Sequence, residues 1–203
     1  DPSHHTEICG RTSRNLDPFM MGDDGVRSTF CRVSEGAYIA VIEGVMGLFD
    51  GIDGTGCAST AHVAKILNAP VLLVTDVQGM SRSVHALIRG FRAFDPKVAI
   101  DGVIVNRIGS IRHRTMIEQS GTGPFVGWIS RKDNLRVPSR HLGLAMAHEN
   151  RTMEQFGAVI HEHCDLNAIL QIACGAPPVG IESPIPAVKK EPCVKIGIAW
   201  DPA

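Results

Sequence analysis

Short apolar runs rich in β-branched residues alternate along this chain with segments of helical period. Four runs have the length and composition of strands buried on both faces, at residues 38–42, 71–75, 100–105 and 124–129. Helical patterns lie between them, at residues 59–68, 81–94 and 111–119. Strand–helix–strand repetition with short connections predicts an α/β fold, a mostly parallel sheet with helices on both faces.

Two of the helices carry readable boundary signals. In the segment 81–94, Ser81 is predicted to be the N-cap and Asp95, before Pro96, ends the helix. Its apolar stripe is Val84, Leu87, Ile88 and Phe91. Further along, Asp165 is predicted to cap a last helix, whose stripe is Leu166, Ile169, Leu170 and Ala173.

The composition changes sharply after that helix. Residues 175–193 contain five prolines and are predicted to be an interdomain linker between a main domain, residues 1–174, and a strand at 194–203. Since the first strong strand pattern comes only at residue 38, the main domain is expected to be incomplete and the sequence to be an excerpt of a longer protein.

Charge and cysteine usage exclude several functional classes. The 203 residues carry a formal net charge of −1, which argues against a nucleic-acid or polybasic membrane surface. No apolar run approaches the ~20 residues that cross a bilayer. The six cysteines are scattered without a CxxC pair, so reduced thiols and a cytoplasmic location are expected.

The sharpest local pattern is IAVIEGVMGLFDG, residues 39–51. An apolar run leads into Glu43 and then into a glycine-rich loop that reaches Asp50. Ligands of open α/β sheets bind at the carboxyl ends of strands, and Mg²⁺ takes carboxylate oxygens, so the pattern indicates a Mg²⁺–nucleotide site. Gly44 and Gly47, with Gly51, would let the backbone approach a ligand. A tight turn that bears two surface acids is the equally weighted alternative.

Several strings together resemble the cobyrinate a,c-diamide synthase family. They are DPSHHTEICGRTSRNLD (1–17), EGVMGLFDG (43–51), the segment 59–91, GVIVNRIGSIRH (102–113) and RHLGL (140–144). The resemblance extends over nearly the whole chain, and residues 194–203 resemble the start of the family's class I glutamine amidotransferase-like domain. It implies a P-loop NTPase domain related to dethiobiotin synthetase, which uses ATP and Mg²⁺ and is truncated here at its N-terminal end.

The resemblance also implies a reaction. ATP would phosphorylate the a and c acetate carboxylates of cobyrinate, and ammonia released from glutamine by the fused domain would displace phosphate from each acyl phosphate. The implied partners are a tetrapyrrole polycarboxylate and that ammonia; a homodimer is compatible, and neither nucleic acid nor a membrane is expected. Nickel-sirohydrochlorin is an alternative substrate, and a MinD- or ParA-like ATPase switch is an alternative of another class.

By resemblance, Glu43 matches the family's acidic residue at a Walker-B-like position and is expected to bind Mg²⁺. Asp50 matches the second acid and is expected to position metal, substrate or ammonia. Asp1 falls in the family's GPDYIDP-like segment, which makes it a weaker metal candidate. Asn106 follows the strand at 102–105, where related enzymes place an asparagine that reads adenine. A strand-end asparagine that caps the next turn is the alternative for Asn106.

A cluster of polar residues is implied to bind the substrate's carboxylates, for which arginine forks are suited. Its members are Arg11, Arg14, Asn15, Ser110, Arg112, His113, Arg140 and His141. For any single arginine, a solvated loop side chain is the alternative. Two departures stand against the resemblance: the chain contains no GxxxxGK[ST] string, and none of its cysteines is the glutaminase nucleophile. The chain alone is therefore not expected to catalyse the full reaction.

Overall fold

The computed structural model describes residues 2–121, 123–131, 139–140, 143–144 and 153–180. Seven helices, five strands and one short 3-10 turn form in this part of the chain. In chain order they are α1 (Pro2–Cys9), α2 (Pro18–Ser34), the 3-10 turn (Ile52–Gly54), α3 (Thr60–Leu67), β1 (Val71–Asp76), α4 (Ser83–Phe94), β2 (Ile100–Ile108), α5 (Ile111–Gln119), β3 (Phe125–Ser130), β4 (Ser139–Arg140), β5 (Gly143–Leu144), α6 (Met153–His163) and α7 (Leu166–Cys174).

A three-stranded parallel sheet in the order β1-β2-β3 forms the centre of the fold. β1 and β2 run in register from Leu72 beside Gly102 to Asp76 beside Asn106. Each crossover carries a helix, α4 between β1 and β2 and α5 between β2 and β3. β4 and β5 form a separate antiparallel pair.

Helices cover both faces of this sheet, so the predicted α/β class is confirmed. On one face, Val103 and Val105 of β2 pack in a buried cluster with Val84 and Ile88 of α4 and Ile117 of α5. The opposite face is closed by the C-terminal helices. A methyl group built on Gly102 would come within 3.0 Å of Ile172 in α7, and Gly127 of β3 forms a bridge with Cys164 between α6 and α7.

A second, smaller cluster joins α2 to α3. Val26 of α2 is fully buried and packs with Val63, Ile66 and Leu67 of α3. Val179 also packs against this cluster, and its carbonyl accepts a hydrogen bond from the Cys31 thiol at 3.5 Å. The start of the predicted linker therefore lies on α2, while residues 181–193 and the predicted strand at 194–203 lie outside the described residues.

Most helix boundaries follow the predicted signals. Asp165 caps α7 by accepting a hydrogen bond from Ala168 N at 2.9 Å, and α4 ends before Asp95 as predicted. The prediction of Ser81 as an N-cap was wrong. The cap position of α4 is Arg82, which has a helical backbone and no capping side chain, and the Ser81 carbonyl accepts from Val84 N instead.

The predicted strand at residues 38–42 was also wrong. This segment is irregular, and the side chains of Tyr38 and Val41 are 86% and 87% exposed. A strand buried on both faces needs hydrogen-bonded neighbours as well as apolar side chains. Among the described residues, no strand pairs with this segment, so its apolar composition alone does not make it a strand.

Candidate functional site

The glycine-rich loop at residues 43–51 is anchored on the central core. Leu48 is buried in the same cluster as the sheet, and its carbonyl accepts a hydrogen bond from Ala61 N at 2.9 Å, at the start of α3. The Phe49 ring packs on two α4 rings, with centroids 5.8 Å from Phe91 and 4.7 Å from Phe94. Glu43 and Asp50 therefore flank a segment that is fixed to the sheet domain.

The three glycines of this loop are each required by the chain itself. A methyl group at Gly44 would lie 2.7 Å from the Thr60 side chain. At Gly47 it would overlap the Asp50 carboxylate, and at Gly51 it would overlap the Cys57 carbonyl. The sequence suggested that these glycines leave space for a ligand, but the contacts within the chain are enough to explain them. Gly47 does make room for one of the candidate acids.

Glu43 lies beside the N-terminal helix. Its carboxylate Oε2 is 3.2 Å from His5 Nε2 of α1, and its side chain is 52% exposed. Asp50 is exposed and closes a turn, since its backbone N–H donates to the Gly47 carbonyl at 3.1 Å. Accessible carboxylates of this kind fit Mg²⁺, which keeps several waters and takes one or two protein carboxylates together with phosphate oxygens.

The carboxyl ends of β1 and β2 form a second polar site. Asp76 ends β1 beside Asn106 of β2, and the guanidinium of Arg107 donates to Asp76 Oδ2 at 2.7 Å. Arg107 also donates to the Gln78 side chain, and Gln78 N donates to Asp76 Oδ1 at 2.8 Å. Asn106 is half-buried, and its Oδ1 accepts from Arg107 N at 2.8 Å.

The loop after β2 is tied to the loop after β1 by His113. Ser110 caps α5 by accepting from His113 N at 3.1 Å, which accounts for Ser110 locally. The His113 ring accepts from Gly109 N at Nδ1, 3.2 Å away, and its Nε2 bonds to the Met80 carbonyl. Because a backbone N–H can only donate and a carbonyl can only accept, Nδ1 acts as an acceptor and Nε2 as a donor in this arrangement. Both ring nitrogens are thereby engaged within the chain.

The remaining predicted substrate residues are dispersed among the described segments. Arg11 donates through Nη2 to the carbonyls of Val33, at 3.2 Å, and Glu35, at 2.7 Å, at the end of α2. Arg14, Asn15 and Arg112 are exposed. Asp1 and His141, and the side chain of Arg140, lie outside the described residues.

Sequence reasoning missed Asp76, Gln78 and Arg107. The signal was present, because Asp76 follows the run 71–75 as Glu43 follows the run 38–42. Within the described part of the chain, no group of three or more His, Cys, Asp and Glu side chains could hold a metal ion. A Mg²⁺ ion here would therefore depend on one carboxylate, such as Glu43, together with phosphate oxygens and water.

The length and apolar content of the helices bear on whether any of them could span a membrane. None of the helices in the described residues is long and apolar enough to span a bilayer.

The fold and the polar edge define the class of protein. A parallel sheet whose strands end in acid, amide and guanidinium groups is typical of α/β proteins that bind ligands at the carboxyl edge of the sheet.

Comparison with known proteins gives the family. The chain is 41% identical to the cobyrinate a,c-diamide synthase of Priestia megaterium and 40% identical to that of Methanosarcina acetivorans, in each case over 100% of the chain. It is 42% identical to the hydrogenobyrinate a,c-diamide synthase of Streptomyces coelicolor over 85% of the chain. The chain belongs to this family of a,c-diamide synthases.

The coverage of these relatives is partial. The chain spans 46% of the Priestia protein, 45% of the Methanosarcina protein and 37% of the Streptomyces protein. No family model and no solved structure matches the chain.

Proposed function

We propose that this chain forms the nucleotide-using part of an enzyme that amidates the a and c acetate carboxylates of cobyrinate. The observation that carries the proposal is the 41% identity to a cobyrinate a,c-diamide synthase along the whole chain. The polar edge at Asn106 supports it, because it lies at the carboxyl ends of parallel strands, where α/β proteins bind ligands. The loop of Glu43 and Asp50 adds two carboxylates on a segment that is fixed to the same sheet domain.

The proposed reaction has two steps for each carboxylate. A carboxylate oxygen attacks the γ-phosphorus of ATP, which gives an acyl phosphate and ADP. Ammonia then attacks the acyl carbon, and phosphate leaves with the electrons of the C–O bond, so that an amide forms. Glutamine, hydrolysed by a further domain of the full-length protein, is the proposed ammonia source. We further propose residues 1–174 as the synthetase domain, 175–193 as a linker and 194–203 as the first strand of that further domain.

The residues have distinct proposed roles. Glu43 would hold Mg²⁺, which when bound supplies charge neutralisation on the phosphates. Gly47 makes room for the Asp50 carboxylate, so that Asp50 can meet substrate or ammonia. Asn106 would bind adenine, and the exposed Arg14 and Arg112 would bind substrate carboxylates. His113 and Ser110 would act by shaping the loop after β2, because their bonds lie within the chain.

Relatives are named for two different substrates, cobyrinate and hydrogenobyrinate, so the choice of substrate is tested directly. The full-length protein is incubated with ATP, Mg²⁺, glutamine and one of three tetrapyrroles, namely cobyrinate, hydrogenobyrinate or nickel-sirohydrochlorin, and product mass is followed. We expect two successive amide-sized mass changes on cobyrinate. Faster conversion of either other tetrapyrrole would reassign the substrate within the same reaction.

Two variants make the test specific. Glu43→Gln should abolish amidation while the protein stays folded. Glu118→Gln is the matched control, because Glu118 is an exposed carboxylate paired with Arg114 on α5, at 2.8 Å. If ATP were hydrolysed while all three tetrapyrroles stayed unchanged, the synthase proposal would fail and an ATPase switch would replace it.

A further inference from the structure

The carboxyl end of β2 contains a bulge at Asn106 and Arg107. Val105 of β2 pairs with Trp128 of β3, but the next pair is Ile108 with Ser130. Two residues of β2 thus stand opposite one residue of β3. Bulges in parallel pairs are rare, and bulges in general are concentrated beside functional sites, where they redirect a side chain.

The bulge places a strained residue directly after the candidate adenine-binding residue. Arg107 has a φ of 64°, in the left-handed region that non-glycine residues seldom adopt. Such a conformation persists only where surrounding contacts enforce it. Contacts with surrounding residues must therefore hold Arg107 in this conformation.

The contacts that hold it come from the end of β1. Arg107 donates to the Asp76 carboxylate at 2.7 Å and to the Gln78 side chain, and the second Asp76 oxygen is occupied by Gln78 N. The Val77 amide also bonds to the Asn106 carbonyl, at 3.1 Å. We call Asp76, Gln78 and Arg107 the β1–β2 clamp.

The clamp fixes the orientation of the Asn106 carboxamide. Because Arg107 N donates to Asn106 Oδ1, that atom is oxygen, and no hydrogen bond engages the carboxamide NH₂ among the residues that the structure describes. One lone pair of Oδ1 also remains. This donor–acceptor pair matches the N7 acceptor and N6 amino group of adenine, whereas guanine presents the O6 acceptor in place of the amino group.

We infer that the β1–β2 clamp positions the Asn106 carboxamide and thereby makes the site select adenine over guanine nucleotides. The inference rests on the proposed function, in which Asn106 binds the base. Arg107 is in this account a positioning residue, which acts by keeping its own backbone left-handed.

Two substitutions at one position separate backbone from side chain. Arg107→Ala removes the guanidinium and leaves a residue that disfavours the left-handed region, whereas Arg107→Gly removes the guanidinium and tolerates that region. ATP and GTP dissociation constants are measured by calorimetry on the full-length protein. We expect Arg107→Ala to bind ATP about tenfold more weakly and to lose most of the preference over GTP. Arg107→Gly should stay within about threefold of the parent.

Any other result would contradict one specific part of the inference. If Ala and Gly weaken ATP binding equally in folded protein, the guanidinium itself contacts the nucleotide and the positioning role is wrong. If both keep the parent's preference for ATP, the clamp does not set selectivity, while the proposed function stands. A parent protein that binds neither nucleotide would instead contradict the proposed function.

Hydrogen exchange tests the clamp without any nucleotide. Asp76→Asn should raise the exchange rate of the Arg107 amide by at least about tenfold, because the left-handed backbone is no longer enforced. Asp101→Asn is the control, an exposed aspartate near the start of β2, and it should leave that rate unchanged. An unchanged rate in Asp76→Asn would refute the clamp directly.

Discussion

The Cys164 thiol lies against the Cα of Gly127, so close that a methyl group on Gly127 would be 2.5 Å from the sulfur. This contact packs β3 against the connection between α6 and α7. At the same place, the backbone N–H of Asp165 donates a hydrogen bond to the Val126 carbonyl at 2.7 Å. Burial raises the pKa of the Cys164 thiol, so the group stays protonated at neutral pH and acts as a small apolar side chain.

This contact predicts a specific rescue. Gly127→Ala should lower the free energy of unfolding by about 1–3 kcal/mol, because the added methyl overlaps sulfur in a packed core. Adding Cys164→Ala should recover much of that loss, since it removes the overlapping atom. Urea unfolding followed by tryptophan fluorescence measures both, and Trp128 is adjacent to the altered site. Equal stabilities of the single and double variants would contradict the assigned contact.

The ion pair between α3 and the end of α4 predicts an acid-dependent contribution. Lys65 Nζ lies 2.7 Å from Asp95 Oδ2, and its hydrogen bond is the main cause that lowers the pKa of Asp95 below 3.8, followed by the bond from Lys97 N. The carboxylate form is favoured in the folded state, so the stabilisation is full above the unfolded pKa and is lost as pH falls through the folded value.

Lys65→Met should therefore reduce stability at neutral pH and make little difference in strong acid. Unfolding midpoints of parent and variant are compared across that pH range. Arg114→Met serves as the control, because the Arg114–Glu118 pair lies within one exposed helix and should show a smaller pH-dependent difference. A Lys65→Met effect that is constant with pH would show that only packing had been removed.

The Gly47–Asp50 contact predicts a loss of activity with the fold retained. Gly47→Ala should push the Asp50 carboxylate aside and lower the amidation rate at least about tenfold, because catalytic geometry tolerates little displacement. Gly56→Ala is the matched control in the same region, since a methyl there has no atom within 4 Å. Rates are measured with saturating substrates. Comparable rates in the two variants would argue against a role for the Asp50 position.

The cap of α7 predicts a change confined to stability. Asp165→Ala should cost about 0.5–2 kcal/mol, because Ala168 N loses its hydrogen-bond acceptor. Asp165→Asn keeps an acceptor at the same place and should lie close to the parent. Thermal unfolding distinguishes the two variants. If Asp165→Asn lost as much stability as Asp165→Ala, the negative charge of Asp165, and not its capping hydrogen bond, would be the stabilising feature.

The sequence predicted those parts of the fold that depend on local pattern. The three paired strands, helix α3 between Ser59 and Asn68, and the Asp165 cap follow from periodicity and capping chemistry. Helices α1 and α2 were not predicted, although Asp17 before Pro18 is a helix-start signal and Asp17 does cap α2; the helical period of α2 is interrupted by Gly22 at a φ of 67°. The segment 38–42 shows the opposite failure, because pairing partners decide whether an apolar run becomes a strand.

The candidate site likewise contains residues that the sequence singled out and residues that only the tertiary structure brings together. Glu43 and Asn106 stood out because each follows an apolar run, and Asp50 because it ends the glycine-rich loop after Glu43; the roles of all three remain predictions. The bond of His113 to the Met80 carbonyl, 33 positions away, and the ion pair of Asp76 with Arg107, 31 positions away, follow from tertiary structure. Sequence spacing carries no record of such contacts.

The bulge in β2 also decides which residues of that strand reach the interior. Val103 and Val105 point into the core two positions apart, yet the next core residue is Ile108, three positions later. The extra residue changes the parity of the strand, so Ile108 enters the apolar interior and Arg107 stays at the edge. Deleting one residue between Val105 and Ile108 would restore the regular alternation, so Ile108 would stay in the interior while the bulge and the left-handed Arg107 at the edge would be lost. The length of this segment therefore determines whether the polar edge can form.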